Sequence, residues 1–132
     1  MNPAMPGRSI LIVEDNADAR EAMRMLLELD GHTVEVAAEG TEALEIVRAK
    51  DLDIALVDIG LPGIDGYEVA RRVRVADPRR PLLIALTGYG QPEDRQRAVE
   101  AGFDSLLVKP VDPVALAELL ATLEIPGRAS RG

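Results

Sequence analysis

The chain is expected to be an α/β domain with a parallel sheet covered by helices on both faces. Three observations predict this. Apolar runs of strand length alternate with segments of helical period from end to end, the pattern of repeated βα units. The run Ile54-Ala55-Leu56-Val57 is apolar throughout, as suits a central strand buried on both faces. Four runs also end on a polar residue: Asp15 after Ile10 to Val13, Asp58 after Ile54 to Val57, Thr87 after Leu82 to Leu86, and Lys109 after Leu106 to Val108. In an open parallel sheet those ends share one crevice, where ligands bind.

The elements follow in order. Ser9 to Val13 is the first strand, leading into a helix with Ala19, Met23, Leu26 and Leu27 on its apolar face and Gly31 where a left-handed residue ends it. Thr33 to Ala37 is the second strand, followed by a helix from Thr41 to Lys50 with Ala43, Leu44 and Val47 inward. After Ile54 to Val57 comes the turn Gly60-Leu61-Pro62-Gly63, and Asp65 and Glu68 have capping-box spacing at the start of a helix carrying Val69, Ala70, Val73 and Ala76. Leu82 to Leu86 is the fourth strand. The next helix runs from Pro92 to Gly102 with little more than Ala98 and Val99 to anchor it, so it should be held loosely. Leu106 to Val108 is the fifth strand, and the last helix starts at Asp112-Pro113 with Leu116, Leu119, Leu120 and Leu123 at helical spacing. Phe103, Leu106 and these leucines are expected to be packing residues, and His32 a surface residue.

The 132 residues suit one domain, and 15 basic against 23 acidic residues leave a net charge of −8, which disfavours nucleic acid and anionic lipid. Arg71, Arg72, Arg74, Arg79 and Arg80 cluster, but interrupted by acids and prolines they read as a solvated helix face and its exit loop. With no cysteine there is no thiol nucleophile or thiolate metal site. No run approaches the ~20 apolar residues of a membrane span, and the first residues lack a signal peptide's apolar core, so a cytoplasmic protein is expected.

Glu14, Asp15 and Asp58 would meet at the strand ends, where each close pair of carboxylates repels by up to about 4 kcal/mol at an effective dielectric near 20. Without a cation, at least one should take up a proton or splay away. Hard oxygens with no His or Cys nearby suit Mg²⁺. Phosphoryl transfer fits that set: Asp58, ionised at neutral pH, as nucleophile; Lys109 as a point charge and Thr87 as a hydroxyl donor to phosphoryl oxygens. Taken singly, each residue reads as a cap, a turn or a solvated strand end; their joint placement favours chemistry.

Four segments, Ile10-Leu11-Ile12-Val13-Glu14-Asp15-Asn16, Val57-Asp58-Ile59-Gly60-Leu61-Pro62-Gly63-Ile64-Asp65-Gly66, Ala85-Leu86-Thr87-Gly88 and Val108-Lys109-Pro110, stand in an order that resembles a response-regulator receiver domain of two-component signalling. The resemblance implies a (βα)5 flavodoxin-like sheet over residues 9–123; flexible segments are expected at 1–8 and 124–132, the latter too short for an output domain. It implies Asp58 as phosphoacceptor; Glu14, Asp15 and Asp58 as Mg²⁺ ligands with the Gly60 carbonyl; Thr87 and Lys109 as phosphate contacts; and a cis Lys109-Pro110 peptide. Its partners would be a sensor histidine kinase or histidine phosphotransfer protein, with Ala17, Arg20, Glu21 and Arg24 of the first helix as docking candidates, and a downstream protein on the face of helix 4, strand 5 and helix 5. The run Gly88 to Asp94 is similar to receivers attached to hybrid sensor kinases. One position departs from the family: Leu106 replaces the usual Tyr or Phe, so coupling by an aromatic rotamer is not expected, and Tyr89 is a substitute.

Two other function classes compete. A docking module independent of phosphorylation is kept open by Leu106, whereas intact Asp58, Thr87 and Lys109 argue against it. A nucleotide binder or phosphatase lacks both Gly-rich phosphate-binding fingerprints.

Overall fold

The computed structural model describes residues 7–88 and 90–123. Strands β1 (Ser9–Val13), β2 (Thr33–Ala37), β3 (Ile54–Asp58), β4 (Leu82–Thr87) and β5 (Ser105–Val108) form one parallel sheet in the order β2-β1-β3-β4-β5. Helices α1 (Ala17–Leu29), α2 (Gly40–Ala49), α3 (Gly66–Ala76), α4 (Pro92–Ala101) and α5 (Pro113–Thr122) follow the strands in turn. The expected doubly wound sheet is therefore present, its ends within a residue of where the apolar runs place them.

The strand period of two divides the core into two layers. Ile10, Ile12, Ile54, Leu56, Ile84 and Leu86 face Met23 and Leu27 of α1 and Leu116 and Leu120 of α5. Leu11, Val13, Ala55, Val57, Leu83 and Ala85 face α2, α3 and α4 through Ala43, Leu44, Val69, Ala70, Val73 and Ala98. Each fully buried Leu or Ile contributes about 1.5–3 kcal/mol by removal from water, so the central strands anchor the molecule.

Local signals set the helix ends. Asn16 Oδ1 accepts the Ala19 N–H at 2.9 Å, Asp65 Oδ1 that of Glu68 at 3.0 Å, and Asp112 Oδ1 that of Val114 at 3.3 Å. Gly31 follows α1 at φ +92° and Gly102 ends α4 at φ +112°, conformations that an L side chain rarely adopts.

Several expectations are corrected. Val99 is 70 % exposed, and Ala101 joins Ala98 under α4, because residues three apart share a helix face and adjacent ones do not. Arg74 and Arg80 leave the solvated cluster: Arg74 binds Asp104 at 2.7 Å, and Arg80 binds Asp51 at 2.9 Å and buried Asp53 at 3.4 Å. Glu68 turns to Arg71 and Arg72, while its N–H is capped by Asp65. His32 is half-buried, its Nδ1 accepting the Arg8 N–H at 3.0 Å, and the Arg8 carbonyl accepts the Thr33 N–H, so Arg8 is tied to the start of β2. Lys109-Pro110 is cis as expected, and Arg80-Pro81 is a second cis peptide. Expectations for residues 1–6, Tyr89 and 124–132 lie outside the described residues.

Candidate functional site

The winding direction changes between β1 and β3, which lie side by side at the middle of the sheet, and a crevice opens there beyond their carboxyl ends. Asp58 is the last residue of β3 and is 7 % exposed; Glu14 follows β1 and is 1 % exposed; Thr87 ends β4 and is buried; Asp15 is exposed at the rim. Lys109 follows β5, and its N–H donates to the Thr87 carbonyl at 2.7 Å, which sets where the side chain starts.

The Lys109 ammonium enters between the acids. Its Nζ donates to Asp58 Oδ2 at 3.0 Å and lies 2.8 Å from Glu14 Oε1. The second contact is an ion pair whose angle falls outside hydrogen-bond geometry, so Glu14 Oε1 is buried without a hydrogen bond. The other oxygens are held by backbone: Gly60 N–H donates to Asp58 Oδ1 at 2.9 Å, and Asn16 N–H to Glu14 Oε2 at 3.1 Å.

Burial raises the Glu14 pKa above its ordinary value, helped by the charge of Asp58 and opposed by Lys109 and the Asn16 N–H. Burial alone would lower that of Lys109, but its pairing with the Glu14 and Asp58 carboxylates outweighs this and holds it raised. The repulsion expected among the acids is thus met by a raised Glu14 carboxyl and an inserted Lys109 ammonium, while Asp15 remains exposed to solvent.

One carboxylate oxygen from each of Glu14, Asp15 and Asp58 lies within 4.8 Å of the others, and this all-oxygen donor set fits a small hard cation such as Mg²⁺. Gly60 and Thr87 sit at the same edge. Leu106 is partly buried in the layer beneath α4. Of the expected docking residues, Arg20 Nη1 donates to the Glu14 carbonyl at 2.8 Å, and Arg24 is engaged by Glu21 and Glu28. Sequence reading missed a cavity of about 520 Å³ beside the acids, lined by Ala19, Ala22 and Met23 of α1 and by Lys109, Pro110 and Val111. The small, outward Ala22 was its one available signal.

Comparison with known proteins bears on this arrangement. The model of the response regulator receiver domain family matches residues 10–121. An uncharacterised 14.6 kDa protein of Leptolyngbya boryana is 40% identical over 112 residues, which are 84% of this chain and 86% of that one. The response regulator MprA of Mycobacterium ulcerans is 39% identical over 86% of this chain but only 47% of its own length, so this chain spans about half of that relative. Among solved structures, the receiver domain of the Pseudomonas aeruginosa sensor histidine kinase PA1611, with magnesium in its active-site cleft, has a TM-score of 0.79 at 33% identity, covering 86% of this chain and 94% of that one. The receiver domain of Saccharomyces cerevisiae Ssk1, solved with the histidine phosphotransfer protein Ypd1, has a TM-score of 0.83 at 27% identity, covering 88% of each chain. A match over nearly the whole chain, on a sheet of this order with its acids at the β1/β3 crevice, makes the conclusion direct: the chain belongs to the response regulator receiver domain family.

Proposed function

We propose that this receiver domain, over residues 9–123, accepts a phosphoryl group on Asp58 from the phosphohistidine of a sensor histidine kinase or histidine phosphotransfer protein. The observation that carries this reading is the Lys109 ammonium 3.0 Å from Asp58 Oδ2, beside three carboxylates within 4.8 Å of one another. An Asp58 oxygen attacks phosphorus, the P–N bond breaks, and its electron pair leaves with the imidazole, which takes a proton from water. Lys109 draws the phosphoryl oxygens as a point charge, and the Thr87 hydroxyl donates to one of them. Glu14, Asp15, Asp58 and the Gly60 carbonyl would hold Mg²⁺, which supplies neutralisation of phosphoryl charge when bound. The magnesium in the PA1611 receiver domain and the Ypd1 partner of the Ssk1 domain support these assignments.

The result is a switch in the cytoplasm that shifts the 87–108 region and presents the α4, β5 and α5 face to a downstream protein. Transfer from a phosphorylated histidine phosphotransfer protein should label wild-type protein but not Asp58→Asn, with no turnover of p-nitrophenyl phosphate. Leu106, in place of an aromatic, favours docking without phosphorylation as the second reading. Partner binding that is equal for wild type and Asp58→Asn, without transfer, would select it.

A further inference from the structure

We infer that Arg97 and Tyr67 form the positioning pair that holds α4 in its resting place and links it to the Asp58 loop; the link, though not the pair, rests on the phosphoryl-accepting reading. The two ends of α4 are held unequally. At its C-terminal end Ala98 and Ala101 are buried, and Arg74 of α3 clamps the cap through Nε to the Gly102 carbonyl at 3.0 Å and Nη2 to Asp104 at 2.7 Å. From Pro92 to Arg97 no side chain is buried. Among the described residues, that half has one directional tie to another element, the Arg97 guanidinium 4.3 Å above the centre of the Tyr67 ring. A cation over an aromatic face is attracted by the ring quadrupole, so losing this contact frees the half-helix to pivot about the Arg74 clamp.

Tyr67 is 4 % exposed and is the second residue of α3. The residue before it leaves no slack toward the site. A Cβ on Gly66 would lie 2.5 Å from the Asp58 carbonyl oxygen and 2.7 Å from Ile59 Cα, and the Gly66 N–H donates to the Ile59 carbonyl at 3.0 Å. A shift of the Asp58 peptide therefore moves the turn that carries Tyr67. A phosphoryl group on Asp58 can bias α4 only by its differential interaction free energy with the two states.

The test uses amide hydrogen exchange and the binding of beryllium fluoride with Mg²⁺, a phosphoryl mimic. Arg97→Gln should speed exchange of the α4 amides at 95–101 by about twofold to fivefold without altering those of β3, and Arg97→Lys should recover most of the protection. Because Arg97→Gln removes a contact that favours the resting place of α4, it should tighten mimic binding by about twofold to fivefold. Unchanged exchange at 95–101, or acceleration that includes β3, overturns the pair as a positioning device. Mimic affinity equal to wild type overturns the link. A wild-type protein that binds no mimic overturns the acceptor reading and the link with it, while the exchange data still decide the pair.

Discussion

Lys109 separates two acids whose proximity would otherwise be costly, and it does so at 2.8 and 3.0 Å from a carboxyl that is 1 % exposed and another that is 7 % exposed. The raised pKa of Glu14 has a definite sign in stability. The folded state keeps this proton more tightly than the unfolded state, so Glu14 costs stability as pH rises past its ordinary value of 4.5. In chelator at neutral pH, Glu14→Gln should therefore be more stable than wild type by about 1–2 kcal/mol, and thermal melts should show Mg²⁺ stabilising it less. His32 has the opposite proton balance. Burial lowers its pKa from 6.5, and its Nδ1 must stay unprotonated to accept the Arg8 N–H. The unfolded chain then takes up the proton first, so its contribution is present above 6.5 and lost as pH falls toward the lowered value. Urea midpoints from pH 8 to pH 5 should fall less in His32→Gln than in wild type. None of this was legible in an isolated histidine, whose partner Arg8 lies across the β1/β2 edge.

At the scale of elements, strands and strand-end positions were legible for the same reason: a run apolar on every residue, as at Ile54 to Val57, suits a strand covered on both faces, and the residue ending it emerges toward the crevice. Long-range polar ties were not. Arg74 and Arg80 look like members of a solvated cluster until folding brings Asp104 and Asp53 to them, and no local pattern encodes those distances. The phase of α4 was misread at Val99 because two alanines give too little amphipathic contrast. Gly66 was legible only as a helix start, yet its closeness to Asp58 is tighter than any side chain allows. Gly66→Ala should cost about 1–3 kcal/mol in denaturant unfolding, since backbone atoms must yield. Arg74→Ala should cost about 1–2 kcal/mol, because the Gly102 carbonyl and the Asp104 carboxylate both lose a partner.

For the whole molecule, the two-layer core supplies a rigid base, while the candidate site gathers at the carboxyl ends of the strands. Among the described residues no helix is long and apolar enough to cross a membrane. With a net charge of −8 and three acids converging at one point, a divalent cation should be the ligand to which stability responds most. Mg²⁺ at a hundred times its dissociation constant should add about 2.7 kcal/mol to unfolding, read as a rise in melting temperature that Asp58→Asn reduces. Phosphoryl acceptance by Asp58 is read directly from intact mass after incubation with acetyl phosphate, with and without Mg²⁺, beside Asp58→Asn. Wild-type protein should gain one phosphoryl group, and the gain should require both Mg²⁺ and Asp58. An unchanged mass in folded wild-type protein, given Mg²⁺ and either acetyl phosphate or a phosphohistidine donor, would contradict phosphoryl acceptance.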